Sequence, residues 1–251
     1  MKQRLTMVGG GPGALLALRA HFKSALAETA VEKPLVAYVG VASDDNVGFQ
    51  KMLTTELAFT GARFEAAKIA SPRASIPRAK ELLEECDLVF ISGGDVDHGM
   101  NLLAKRGILE DFRRLCRQGK PMFSLSAGSV MLARDWVRFP DDDEARAEIF
   151  ECIGAVPFHV DAHSEDDDWA ELRTLLELLH KRGDKDAAGY GLTVKGGVRV
   201  TVDGDDVSVE AIGTSIPRFI VRAGQVVSGA PLPCLEKKAR EAKARPRVGK
   251  G

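Results

Sequence analysis

Residues 121–135 read PMFSLSAGSVMLARD, a short apolar run that ends in Ser-Leu-Ser-Ala-Gly before the pattern turns helical. A strand that becomes a helix within a few residues turns sharply. The backbones two residues before and two after the corner then crowd together, so both positions must be small. Around Ser126 they are Ser124 and Gly128; around Ser124 they are Met122 and Ser126, and methionine does not fit. Ser126 is therefore the candidate nucleophile of an elbow, and Ser124 stands where glycine is more usual. The plain alternative is that both serines fill a turn. A serine hydroxyl is a weak nucleophile and needs a base, which needs an orienting acid.

Working outward, strand-like runs at 5–9, 35–42, 63–69, 87–92 and 121–125 alternate with helical patterns at 13–29, 46–60, 77–86 and 108–118. Runs such as LVAYVGVA are apolar on both faces, as strands covered by helices on both sides must be. This predicts an α/β fold with a doubly wound, mostly parallel sheet flanked by helices. After residue 185 apolar and polar residues alternate, with GG and DGDD at turns. Antiparallel strands are expected at 190–195, 197–202, 207–212 and near 217–222, as an extension of the same sheet. Residues 1–235 are expected to form a single domain, with a basic, disordered tail over 236–251.

The composition bounds the function. A net charge of −1 supplies no field for holding nucleic acid. Four widely spaced cysteines, with no CxxC pair, read as free thiols in a reducing compartment. The apolar stretch near the N-terminus is broken by GGGPG, unlike a signal peptide, and no run is long enough to span a membrane. A cytoplasmic protein is expected, with no specific nucleic acid or membrane as partner; a homodimer stays open.

In an open parallel sheet, ligands bind beyond the carboxyl ends of the strands, and three loops there are unusual: 9–13 (GGGPG), 92–99 (SGGDVDHG) and 124–129 (SLSAGS). The first matches a weak dinucleotide fingerprint through Gly9, Gly11 and Ala14, but the next strand ends in Asp44 and Asp45 too late for the ribose-binding acid. It reads as a tight turn, and no cofactor is expected. In the second, the amide of Gly94 could join that of Ala127 in an oxyanion hole. Among five histidines, His163 comes where a strand should give way to a loop, which suits a base. His159 belongs within the strand. His21 and His180 read as surface or capping residues, and His98 as a residue that could line a site. No third ligand accompanies His159 and His163, so no metal is expected. Asp135, Asp141, Asp142, Asp143 and Asp161 all remain candidates for the orienting acid.

The ordered set DLVFISGGDVDHGMNLL, GKPMFSLSAGSVMLA, VPFHVDAH and GLTVKGGVRVTVDGDDVSVEAIG resembles the dipeptidase E and cyanophycinase family of serine peptidases over roughly residues 35–228. The resemblance implies a class I glutamine amidotransferase-like fold, with serine where those amidotransferases carry cysteine. It implies Ser126 as nucleophile, His163 as base, and Gly94 and Ala127 at the oxyanion hole. It points to Asp141 as the acid, with Asp142 and Asp143 as alternatives. Asp95 and Arg173 fall where substrate-binding residues are implied. The chain departs from its relatives after His163, where SEDDDWAEL replaces an aromatic residue and several arginines, and at Val96, where cyanophycinases carry glutamine. Cyanophycin is thus not the expected substrate, and the acids at 165–168 suit either an amine group or a solvated helix start.

The expected function is hydrolysis of short peptides by a cytoplasmic serine exopeptidase or dipeptidase through a Ser-His-Asp triad. The competing expectation is a non-catalytic small-molecule or peptide binding protein on the same fold. An α/β-hydrolase esterase shares the order Ser, Asp, His, but places acid and base much later than residues 126–163 allow.

Overall fold

The computed structural model describes residues 2–234, so the tail expected over 236–251 lies outside the described residues. The first half alternates as expected: β1 (Gln3–Val8), α1 (Leu15–Ala27), β2 (Leu35–Val39), α2 (Val47–Leu57), β3 (Arg63–Ala66), α3 (Ile76–Glu85), β4 (Leu88–Ile91), α4 (Val96–Lys105), α5 (Leu109–Arg117), β5 (Met122–Leu125) and α6 (Ala127–Leu132). α4 was not anticipated, because the glycine loop was expected to run to residue 99. Asp95 ends that loop early by capping the helix, its carboxylate accepting the His98 amide at 2.7 Å.

The second half holds a hairpin of β6 (Asp135–Arg138) and β7 (Glu148–Glu151), then β8 (His159–Ala162) and α7 (Ala170–Arg182). It ends with β9 (Ala188–Leu192), β10 (Gly197–Asp203), β11 (Asp206–Ile212), β12 (Arg218–Arg222) and β13 (Gln225–Ser228).

The main sheet has the order β11-β10-β1-β5-β4-β2-β3. Its five N-terminal strands are parallel, and β10 and β11 join antiparallel beside β1. Alternation along β2 shows why helices cover both faces. Ala37 and Val39 pack with Leu82, Leu103 and Phe112 on one side; Val36 and Tyr38 pack with Phe22, Leu53 and Leu57 on the other.

The expected extension of one sheet holds for only two of the four late strands. β9 and β12 instead belong to a separate sheet of order β13-β12-β9-β8, with β9 parallel to β8. The reason is a third apolar cluster. Leu172, Leu175, Leu176 and Leu179 of α7 bury with Trp169 and Phe219, and that face needs a sheet of its own. The chain returns to the main sheet between β9 and β10, where the Gly9 amide donates to the Gly196 carbonyl at 3.0 Å. This junction brings the end of β8 next to the carboxyl ends of β1, β4 and β5.

Candidate functional site

Ser126 stands between β5 and α6 with φ 53° and ψ −124°, a backbone conformation that a non-glycine residue holds only when its surroundings enforce it. Its amide donates to the Val8 carbonyl at 2.9 Å, pinning the corner to the neighbouring strand. A Cβ on Gly128 would run into the Ile91 carbonyl, which is why the position after the corner must be glycine. Ser124 is fully buried and its hydroxyl meets that of Ser129 at 3.0 Å. It belongs to the core and only Ser126 is presented.

His163 follows β8 with φ 49°, its amide donating to the Leu192 carbonyl at 2.8 Å. Its Nε2 lies 2.8 Å from the Ser126 hydroxyl, across a separation of 37 residues. That is the distance at which an imidazole can accept the hydroxyl proton. Across from it, Gly94 adopts φ 147° beside the Ala42 carbonyl, a position no side chain could share. Among the described residues the Gly94 and Ala127 amides make no backbone hydrogen bond, and Ala127, as the first residue of its helix, has no intrahelical acceptor. The Gly9–Gly13 loop forms a wall, and a Cβ on Gly11 would sit 3.6 Å from the His163 ring.

These residues enclose a cavity of about 280 Å³ lined by Gly10, Gly11, Gly93, Gly94, Ser126, His163 and apolar side chains of α1 and α2. A larger groove of about 660 Å³ between Asp44 and Arg78 contains neither Ser126 nor His163. The smaller one is the candidate site, because it holds Ser126 and His163.

Other expected site residues go elsewhere. Asp141 stands in an exposed turn with its carboxylate bound by Arg146, and Asp143 accepts the Ala145 amide at 3.0 Å. The Asp142 side chain lies outside the described residues. Among those described, the only side-chain hydrogen bond of His163 is to Ser126. Arg173 is held by Asp168 at 3.0 Å, lies over the Phe219 ring and does not line the cavity. Asp95 is spent on its cap. His21, read as a surface or capping residue, is buried with its Nε2 3.1 Å from the Lys195 carbonyl. The acids after His163 close the loop: Glu165 accepts the Val194 amide at 2.7 Å and Asp167 that of Trp169 at 3.0 Å.

The model of peptidase family S51 matches residues 5–210, most of the chain. The chain belongs to peptidase family S51. It is 33% identical over 86 residues to peptidase E of Streptomyces coelicolor, covering 34% of this chain and 35% of that protein. It is 28% identical over 100 residues to the pyridoxal 5'-phosphate synthase subunit PdxT of Bacillus cereus, covering 40% and 46%. The match thus spans under half the length of these curated relatives. The crystal structure of a peptidase from an acI-B1 actinobacterium superposes with a TM-score of 0.62 at 20% identity, covering 91% of this chain and 98% of that one. A protein of Listeria monocytogenes EGD-e assigned as peptidase E gives 0.55 at 13%, covering 84% and 100%. The fold is that of the class I glutamine amidotransferases, as expected.

In this S51 chain the sequence reading missed the cavity's apolar lining. Leu15, Leu18, Phe49, Met52 and Leu53 look in sequence like ordinary core positions of two amphipathic helices. A signal was present in the GGGPG loop, which proves to be a wall of the site. Beside the site, burial and then the neighbouring Glu171 push the Asp161 carboxyl up to about 7; burial also raises Glu171, which accepts the Trp136 indole N–H at 2.8 Å. Among the described residues no helix is long and apolar enough to cross a membrane, and all four cysteines are free.

Proposed function

We propose that this protein is a serine peptidase that hydrolyses short peptides, acting as an exopeptidase or dipeptidase. The observation that carries the reading is the 2.8 Å contact between Ser126 and His163 at a strained elbow. The Ser126 hydroxyl attacks the scissile carbonyl while His163 Nε2 takes its proton. The amides of Gly94 and Ala127 receive the charge that develops on the carbonyl oxygen. His163 then gives the proton to the departing amine, and water, activated by the same imidazole, releases the acyl group from Ser126. The Asp141 carboxylate, engaged by Arg146, has no part in this sequence, which runs on the Ser126–His163 pair.

Ser126→Ala is the test. It abolishes hydrolysis of every dipeptide the wild type cleaves, with the fold unchanged by circular dichroism; retained turnover would refute the assignment. Non-catalytic peptide binding is the second reading, favoured because no carboxylate among the described residues bonds to His163. It requires the same dipeptides to bind and remain uncut.

A further inference from the structure

The cavity around Ser126 is apolar wherever a substrate side chain could lodge. Its walls, beyond the reacting pair and glycine backbone, are Ala14 and the larger Leu15, Leu18, Phe49, Met52, Leu53 and Leu125. Among the described residues no arginine, lysine, aspartate or glutamate lines it. Leu15 and Met52 keep 43% and 46% of their surface exposed, so two large apolar side chains face water at its mouth. Such exposure is a cost unless a ligand covers it. The residue expected to bind an acidic side chain, Arg173, is tied to Asp168 and does not line the cavity.

We propose that this cavity is the subsite for an apolar side chain on the residue whose carbonyl is attacked, so that the substrates are short peptides with leucine, methionine or phenylalanine at that position. The proposal rests on the serine-peptidase reading and adds its substrate class. The acyl side follows from the chemistry. As the Ser126 Oγ–carbonyl bond forms and the amide C–N bond breaks, the hydroxyl proton passes through His163 to the departing amine. The amine leaves, whereas the acyl residue stays esterified to Ser126 and must fit in the space into which Ser126 opens. An aspartate there would lose its hydration with no cation to replace it.

The test compares Xaa-Ala dipeptides and aminoacyl p-nitroanilides with Xaa as Leu, Met, Phe, Asp or Lys. The wild type is expected to favour the apolar members over Asp and Lys by roughly tenfold or more in kcat/KM. Met52→Arg, a change at the half-exposed rim, should cut the leucyl rate by about tenfold and raise the aspartyl rate. Leu16→Arg adds the same charge on α1 outside the cavity and should change neither. A wild-type preference for aspartyl substrates, or a Leu/Asp ratio unmoved by Met52→Arg, overturns the subsite and leaves the peptidase reading standing. If no substrate is cleaved and Ser126 is inert to a fluorophosphonate, both fail.

Discussion

The two ends of β8 carry a histidine each, and the fold puts them to opposite uses. His159, at the start, is buried with its Nδ1 3.8 Å from the Asp135 carboxylate, which Arg134 and Arg182 also approach at 3.5 and 3.9 Å. Burial lowers its pKa, favouring the neutral ring. His163, just past the end, is exposed and touches Ser126. Residues 159, 161 and 163 would share one face of an extended strand. The left-handed backbone at His163 (φ 49°) takes it out of that series and turns its ring toward the elbow. The carboxylate a histidine could use thus sits beside His159 and not beside the histidine that touches Ser126. A His–Asp pair is a catalytic signature only where the backbone delivers it to a nucleophile.

The sharpest way to break this contrast is at the reacting pair. Ser126→Ala and His163→Ala should each lower kcat/KM by about 10³-fold or more, and the double variant should be little worse than either, since the two act as a unit. Independent, multiplicative losses would mean they do not. The next effect is on stability. Asp161 binds its proton up to about pH 7 in the fold, against 3.8 ordinarily. The fold therefore holds more protons than the unfolded chain between those values. Its contribution is complete below the ordinary pKa, falls as pH rises through about 7, and then levels. Urea unfolding at about pH 4 and about pH 8 should show a loss on the order of 4 kcal/mol from this group, absent in Asp161→Asn. An equal pH slope in the variant would place the titration elsewhere.

Smaller effects separate the two histidines. Asp135→Ala should cost about 1 kcal/mol of stability or less, by removing the carboxylate that Arg134 and Arg182 approach, while kcat/KM of folded protein stays within about 2-fold. A large fall in kcat would tie His159 to the chemistry. Asp141→Asn should change kcat/KM by less than about 2-fold, because that carboxylate is held by Arg146. A loss of about 10²-fold would restore it as the triad acid.

Sequence reasoning reached the corner at Ser126 because an elbow is a steric object: Gly128 and the small Ser124 are visible as residues. The Gly93-Gly94 turn and the parallel sheet were legible for the same reason, since close approach and two-sided burial each leave a compositional trace. The third apolar cluster was not, because Leu172, Leu175 and Leu179 give the same helical period whichever sheet they cover. Nor was the fate of the carboxylates. Asp141, Glu165 and Asp167 are short-range partners of Arg146, Val194 and Trp169, and an acid's sequence position does not say which nearby group will claim it. The apolar lining stayed hidden because a leucine facing a cavity and one facing the core look alike in sequence.

The central claim is that His163 activates Ser126 without the Asp141 carboxylate. Its most direct test is the rate at which a fluorophosphonate modifies the protein, with the modified residue identified by peptide mass. The account predicts modification at Ser126, slowed by roughly 10³-fold in His163→Ala and unaltered in Asp141→Asn. Modification at another residue, or a rate indifferent to His163→Ala, would contradict it.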